Sequence, residues 1–314
     1  MKNLISGTAR SGKRRYPVQR AVTVWCCLLV LFPAPTLALE VTDDTGQRVH
    51  LDKPARRIIS LAPHITELLF AAGAGDAVVG TVSYSNYPPE ATRLTNVGSY
   101  ASLNLEAIAA LRPDLVVAWK SGNSSAQIER LSELGLPVFY SEPRRLEDIA
   151  SNLQRLGRLA ASEHNADAAA VRFNTHYRQL KTRYSQAKPI RVFYEIWHQP
   201  LMTVSGKHLI SQVIKLCGGR NIFSELTALA PTVNPEAVLA ANPEAIIASG
   251  TATQRPEWLD RWRNWPQIAA VKNRQLYFIP PDLIQRQTPR VLEGVERICK
   301  QLEQVRMYSE SEDE

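Results

Sequence analysis

Residues 104–118 read NLEAIAALRPDLVVA, and residues 234–248 read NPEAVLAANPEAIIA. The two stretches align without a gap at a constant offset of 130 positions, and six of the fifteen aligned pairs are identical. Each copy begins with asparagine and carries glutamate two residues later, which is typical of a capped helix start with a carboxylate in its first turn. Proline then breaks the helix, and an apolar run predicts a buried strand. The repeat therefore predicts the same helix–strand unit in each half of the chain.

The segments around the two copies continue the alternation of strands and helices. RIISL (57–61) and AVVGT (77–81) predict strands on either side of a helix that ends at Gly73. RVFYEI (191–196) opens a similar series in the second half. Strands that alternate with helices imply parallel sheets covered on both faces. We therefore expect an α/β protein made of two doubly wound lobes.

The segment between the two lobes has a different pattern. Residues 146–184 contain no proline and one glycine, and their apolar side chains recur at helical spacing. We predict a single long helix there, with two helices broken near 162–165 as the alternative. The predicted layout begins with a polar segment of hairpin character (39–56) and an N-terminal lobe (57–145). A linking helix (146–188), a C-terminal lobe (189–306) and a disordered acidic tail (307–314) follow.

Residues 1–38 have the composition of a secretory signal peptide. They carry six basic residues and no acidic one, followed by an apolar run (21–32) and a small-residue end at Ala38. The run is too short to span a bilayer comfortably, so we expect export and cleavage near Ala38. The whole chain has a net charge of +7, but beyond residue 38 there are 31 basic against 30 acidic side chains. This balance speaks against a nucleic-acid partner.

Two of the four cysteines, Cys217 and Cys299, lie beyond the predicted signal peptide. In an oxidising compartment, two such thiols usually pair. The bond would close a loop of about 80 residues, worth roughly 4 kcal/mol if its effect is on chain entropy. Two buried free thiols are the alternative.

Five stretches resemble the periplasmic cobalamin (vitamin B12) binding proteins of ABC importers, which belong to the helical-backbone class of solute-binding proteins. The resemblance covers residues 57–305. It implies two α/β lobes joined by one long helix, a ligand cleft between them, and delivery of the ligand to a permease in the inner membrane. The stretches are RIISLAPHITELLFAAGAG (57–75), VSYSNYPPEA (82–91), NLEAIAALRPDLVVAWKSGN (104–123), SGKHLISQVIKLCGGRNIF (205–223) and PDLIQRQTPR (281–290).

The resemblance also implies roles for individual residues. Glu106 and Glu236 match positions that dock with arginines of the permease, and the cysteine pair matches the family's disulfide. Ala230 and Leu283 stand where an aromatic residue is common, so we expect a less aromatic wall on the C-terminal side of the cleft. The residues that match ligand-binding positions of the cleft are Tyr84, Tyr100, Trp119, Asp282 and Arg286.

These residue types suit a large flat ligand. Cobalamin is a flat macrocycle fringed with amides, and broad aromatic faces with a few polar anchors would hold it. Tyr84, Tyr100 and Trp119 lie at or near predicted strand ends, where doubly wound folds bind ligands. The open alternatives are that Asp282 and Arg286 form only a local ion pair, and that the two glutamates are only good helix starts.

The preferred hypothesis is a monomeric cobalamin carrier for an ABC importer, with cobalamin as cargo and no resident cofactor. An Fe(III)-siderophore or haem carrier on the same scaffold is the alternative, since haem needs an axial Tyr or His. An exported α/β enzyme is less favoured because no motif pairs a nucleophile with a base. The histidines show no close metal-ligand spacing with cysteine, so we expect no metal site.

Overall fold

The structure is a computed structural model that describes residues 39–250 and 254–313, together with 7–9 and 12. The predicted signal peptide lies outside the described residues, apart from those four positions. Leu37–Glu314 forms one compact unit. In the described part of the chain, no helix combines the length and the apolar character needed to cross a membrane.

The N-terminal lobe begins with an antiparallel hairpin and continues as a parallel sheet with helices on both faces. The hairpin confirms the character predicted for residues 39–56. Its strands are β1 (Leu39–Thr42), β2 (Arg48–Leu51), β3 (Ile58–Ser60), β4 (Val78–Thr81), β5 (Thr95–Asn96), β6 (Gly98–Ser99), β7 (Ser102–Leu103), β8 (Leu115–Trp119) and β9 (Val138–Ser141). Its helices are α1 (Pro63–Ala71), α2 (Leu105–Ala110), α3 (Ser125–Glu133) and α4 (Leu146–Ala160), with 3₁₀ turns at Gly75–Ala77 and Pro89–Arg93.

The main sheet of this lobe has the strand order β5-β4-β3-β8-β9, and all of its pairs are parallel. Its central strands are apolar on both faces because helices cover both. In β8, Leu115 and Val117 pack into a core that extends into the second lobe, whereas Val116 and Ala118 pack beneath α2 and α3. Successive side chains of a strand point to opposite faces, so the run LVVA supplies both cores at once.

The linking segment contains two helices. After α4, Ala161 adopts a left-handed conformation (φ 53°), and α5 (Glu163–Arg183) begins two residues later. Since α4 packs against α1 and β1, it belongs to the first lobe, and α5 alone connects the lobes. The range predicted for one linking helix (146–188) is therefore too long, and the two-helix alternative is confirmed, with the break just before its expected place.

Packing between helices explains the break, because no proline or glycine stands at it. The chain turns back so that α5 packs along α4. Gly157 lies at the contact, where an added Cβ would come within 2.2 Å of the Cβ of Ala166. Any larger residue at position 157 would push the two helices apart.

The C-terminal lobe repeats the architecture of the first. Its strands are β10 (Ile190–Glu195), β11 (Trp197–His198), β12 (Leu201–Met202), β13 (Gly219–Asn221), β14 (Ala245–Ala248) and β15 (Leu276–Phe278). Its helices are α6 (Leu209–Leu216), α7 (Pro235–Ala241), α8 (Ala269–Lys272), α9 (Pro281–Ile284) and α10 (Val291–Asp313), with a 3₁₀ segment at Glu257–Asn264. The strand order β13-β10-β14-β15 corresponds to β4-β3-β8-β9 of the first lobe.

The sheet register confirms the duplication predicted from the repeat. In the first lobe Leu115 of β8 pairs with Ile58 of β3, at the start of the central strand pair. In the second lobe Ala245 of β14 pairs with Val192 of β10. Leu115 and Ala245 are 130 positions apart, so each copy of the repeat enters its sheet at the same place.

The helix of each copy is capped in the same way. The side chains of Asn104 and Asn234 each accept a hydrogen bond at 2.9 Å from the backbone N–H three residues later. Ten residues after the caps, Asp114 and Glu244 each accept a backbone N–H from an arginine at the start of a central strand. The donors are Arg57, directly before β3, at 2.9 Å and Arg191, the second residue of β10, at 2.8 Å. The repeated residues therefore perform the same local tasks in both lobes.

A disulfide joins the end of α6 to α10 through Cys217 and Cys299. Both cysteines are fully buried in the core. The predicted pairing is confirmed, and the alternative of two free thiols is wrong. Because the cysteines are 82 positions apart, the entropic effect on the unfolded chain is worth roughly 4 kcal/mol.

The last helix runs further than predicted. The sequence predicts a disordered tail over residues 307–314, but α10 continues to Asp313. That part of the prediction is wrong. No glycine or proline follows Gly294, so no residue of the kind that ends helices separates the acidic end from the buried part of α10.

Candidate ligand cleft between the lobes

A cavity of about 360 Å³ lies where the two lobes face each other. Both lobes contribute to its wall, and the wall mixes apolar, charged and hydrogen-bonding groups. On the N-terminal side it is lined by Trp119, Ser121, Glu142, Pro143 and Arg144. On the C-terminal side it is lined by Lys207, His208, Leu209, Leu229 and Gln287.

Trp119 is the aromatic wall of this cavity. It is the last residue of β8, so the strand carries it to the carboxyl edge of the sheet, where doubly wound folds bind ligands. Its ring meets His64 edge-on at 5.3 Å between centroids and lies 5.7 Å from the ring of Tyr100. The chain also passes closely behind it, because a Cβ at Gly122 would come within 1.8 Å of the indole. The indole is therefore held on several sides.

Asn123 fastens the loop that follows Trp119. Its side-chain oxygen accepts the backbone N–H of Trp119 at 2.6 Å. Its amide nitrogen donates to the carbonyls of Leu61 and Tyr100, at 2.9 and 2.7 Å. One buried amide thus joins the ends of two strands to the Tyr100 segment and orders the aromatic side of the cleft.

His64 lies beneath this aromatic side as a neutral side chain. Burial lowers its pKa to about 3, and the nearby positive charge of Arg286 acts in the same direction against a small opposing effect of Asp44. Its Nε2 is buried and has no hydrogen-bond partner among the described residues. His64 is the second residue of α1, and its ring lies against Trp119.

The side chain of Arg286, predicted to bind ligand, is bonded to other parts of the protein. It forms ion pairs with Glu67 at 2.7 Å and with Asp282 at 2.8 Å. It also donates to the side chain of Asn86 at 2.8 Å and to the carbonyl of Tyr84 at 3.1 Å. Only 11% of the side chain is exposed. The local ion pair between Asp282 and Arg286, which was one alternative from the sequence, is therefore present in the structure. Arg286 has further partners in the N-terminal lobe.

Glu67 is the centre of this contact between the lobes. Its side chain is 2% exposed, and it receives a second arginine, Arg290, through two hydrogen bonds of 2.9 and 2.7 Å. The guanidinium of Arg290 also lies 3.7 Å from the ring centroid of Tyr87. Sequence reasoning missed Glu67, although a carboxylate within the apolar run ITELLF is the kind of signal that marks a buried charge.

The predicted aromatic residues of the first lobe remain accessible. Tyr84 is 77% exposed and Tyr100 is 41% exposed. Tyr84 has a positive φ of 67°, which is uncommon for an aromatic residue and is accompanied by the bond from Arg286 to its carbonyl. Neither tyrosine, nor Asp282 or Arg286, lines the cavity. Trp119 does. Ligand contact by all five residues stays a prediction.

Among the described residues that line the cavity, the C-terminal wall has no phenylalanine, tyrosine or tryptophan. Leu229, next to Ala230, is 55% exposed and lines it instead. Leu283 is buried and does not reach the cavity. This arrangement agrees with the less aromatic wall expected from the sequence.

Glu106 and Glu236 lie in the first turns of α2 and α7, two residues after their asparagine caps. Both residues are exposed, and neither has an ion pair among the described residues. The predicted helix starts are confirmed, while docking to a permease stays a prediction.

Comparison with known proteins agrees with this architecture. Residues 58–283 match the periplasmic binding protein family. The vitamin B12-binding protein of Vibrio cholerae is 38% identical over 250 residues, covering 79% of this chain and 90% of the relative. That of Yersinia pestis is 36% identical over 287 residues, covering 91% and 94%.

Solved structures give the same result. The periplasmic vitamin B12-binding protein BtuF of Vibrio cholerae has a TM-score of 0.74 at 37% identity, covering 81% of this chain and 98% of that one. The periplasmic haem-binding protein BhuT has a TM-score of 0.72 at 21% identity, which reflects a common fold. From the family match, the identity to these relatives and the two-lobed fold, the chain belongs to the periplasmic binding protein family.

Proposed function

We propose that this protein binds cobalamin, or a related corrinoid, in the periplasm and delivers it to the permease subunits of an ABC importer. The observation that carries the proposal is the indole of Trp119, which is held against a cavity that both lobes line. Relatives of more than one third identity that span most of the chain are named as vitamin B12-binding proteins. Residues 1–38 would direct export and be removed near Ala38.

The shape and chemistry of the cleft support a flat, amide-rich ligand. Ligand pockets are commonly about 300 to 1,000 Å³, and the cavity of about 360 Å³ is at the small end of that range. A corrinoid would therefore extend beyond it, along the exposed rings of Tyr84 and Tyr100. Polar groups at the cavity, such as Ser121 and Gln287, would orient its amides.

The proposed cycle makes and breaks no covalent bond. The cleft captures the ligand, the loaded protein docks on the permease, and the ligand is released into the transport path. Exposed Glu106 and Glu236, at equivalent places in the two lobes, would contact basic residues of the permease, and such electrostatic contacts set orientation and association rate.

Binding of cyanocobalamin to the purified mature protein tests the proposal. We expect submicromolar affinity by isothermal titration calorimetry. Trp119→Ala should weaken it by about 2 kcal/mol or more, roughly 30-fold, because a central aromatic anchor is lost. Trp265→Ala is the matched control, since Trp265 is partly buried against the outer core of the C-terminal lobe and does not line the cavity.

Two results would contradict this assignment. The absence of heat at high micromolar cyanocobalamin would exclude a cobalamin carrier. Equal affinities of Trp119→Ala and wild type would place the indole outside the ligand contact.

A further inference from the structure

His208 lines the cavity but is not among the residues predicted to bind ligand. It lies directly before α6, in the C-terminal wall, opposite the Trp119 side of the cleft. Its Nδ1 accepts the backbone N–H of Ile210 at 3.1 Å, which caps the helix. The ring is thereby held in one orientation by its own helix.

This bond determines where the imidazole carries its proton. A neutral imidazole has one acceptor nitrogen and one donor nitrogen. Because Nδ1 accepts from a backbone N–H, which cannot act as an acceptor, the hydrogen is on Nε2. Burial also lowers the pKa of His208 to about 4, so the ring is neutral near pH 7. Among the described residues, the hydrogen bond of the ring is the one at Nδ1, and Nε2 makes none.

We propose that His208 binds the corrinoid by donating its Nε2–H to a carbonyl oxygen of one of the amide side chains at the ring edge, and that it does not coordinate the cobalt. The inference rests on the proposed function and names a specificity-determining residue of the same site. Among the described residues, the C-terminal wall of the cavity has no phenylalanine, tyrosine or tryptophan, and His208 contributes a fixed hydrogen-bond donor there.

The alternative role of an axial metal ligand needs the opposite arrangement. A histidine that binds a metal through Nε2 needs a free lone pair there, and it normally donates its Nδ1–H to a carbonyl, a carboxylate or water. Here Nδ1 faces a donor, so metal binding would require loss of the helix cap and a change of tautomer. The same reasoning opposes His208 as the axial ligand of a haem.

The cavity is also lined by charged groups, whereas His208 is a neutral hydrogen-bond donor. Arg144 and Lys207 are cationic and exposed. Glu142 is the cavity's carboxylate, and it accepts the backbone N–H and the hydroxyl of Ser121, at 3.0 and 2.8 Å. An uncharged amide carbonyl therefore finds a matching uncharged donor in His208.

Calorimetry with cyanocobalamin on three proteins tests the inference. His208→Phe keeps an aromatic ring but removes the donor, and we expect it to bind about fivefold more weakly or worse, as the loss of one hydrogen bond predicts. His208→Ser restores a helix cap, but the serine side chain is too short to reach the ligand. We therefore expect it to lose as much affinity as His208→Phe, while its melting temperature stays closer to that of the wild type than the melting temperature of His208→Phe does. Equal affinity of all three proteins would overturn the role of His208 and leave the proposed function standing, whereas no heat from the wild type would overturn both.

The visible spectrum of bound aquocobalamin tests the second half of the proposal. We expect the spectrum to keep the features of the water-ligated form in both wild type and His208→Phe. A shift to the spectrum of an imidazole-ligated cobalamin in the wild type, absent in His208→Phe, would show coordination and overturn the donor role.

Discussion

Cobalamin uptake is expected to be abolished when Glu106 and Glu236 are both changed to arginine, while cobalamin affinity stays within about twofold of wild type. The two carboxylates occupy equivalent positions in the duplicated lobes and are exposed. Reversal changes the charge at the two contacts by four units, so that two positive charges face a basic partner, and like charges across an interface cost several kcal/mol. Uptake of labelled cobalamin by cells, with calorimetry on the purified protein, measures the two effects separately.

The control for this experiment is Glu163→Arg combined with Glu293→Arg. These glutamates are also exposed and also lie in the first turns of helices, α5 and α10. The control therefore changes the net charge equally and carries a similar cost from the helix dipole. Normal uptake by the reversed Glu106 and Glu236 protein, or equal loss in the control, would contradict a docking role. Loss of cobalamin affinity would show that the pair is structural.

Glu67→Ala is expected to destabilise the protein by about 3 to 5 kcal/mol. The change removes the common partner of Arg286 and Arg290 and leaves two poorly exposed guanidinium groups, 11% and 18% accessible, facing an empty site. A buried charge without its partner is strongly unfavourable, much more so than the loss of an exposed pair. Urea denaturation followed by circular dichroism measures the difference in the free energy of unfolding.

Asp282→Asn provides the comparison for Glu67. Asp282 pairs with the same Arg286 at 2.8 Å, but it is 27% exposed and belongs to the same lobe as the arginine. We expect a loss of less than about 1 kcal/mol, in the range of accessible ion pairs. Equal free energies of unfolding for Glu67→Ala and Asp282→Asn would show that the buried contact between the lobes stabilises the protein no more than the exposed ion pair does.

The contacts of Glu67 also bear on how far the lobes can separate. α1 belongs to the first lobe, and both arginines follow α9 in the second, so any wide opening would break the ion pairs. The main core crosses from one sheet to the other through α4, α5, α6 and α10 without interruption. We therefore expect ligand entry to involve small relative movements of the lobes.

Local features of the fold were readable from the sequence because their causes lie within a few residues. A helix cap is recognised from residues no more than four positions away, as at Asn104 and Asn234. The same holds for a short apolar run that predicts a strand, such as LVVA or AIIA. These features predict the α/β class, the duplication and the central strands of both sheets. The disulfide was predicted from the two cysteines beyond residue 38 and from the predicted export signal, which can both be read in the sequence.

Features that depend on packing were not readable in the same way. The break between α4 and α5 has no proline or glycine at it, and Gly157 reads as an ordinary helical glycine until Ala166 is brought against it. In the candidate site, Trp119 was predicted from the family resemblance, and its place at a strand end supported that prediction. Glu67 and His208 were not, because their partners or their cavity come from other parts of the fold.

The sequence by itself determined two copies of an α/β unit, their capped helices, and the position of Trp119 at a strand end, since propensity, periodicity and capping act over short distances. Tertiary structure alone decided that Arg286 is bonded to Glu67, 219 positions away, and that His208 faces the Trp119 side of the cleft. The physical reason is that burial and pairing of charges are set by which surfaces the two lobes bring together.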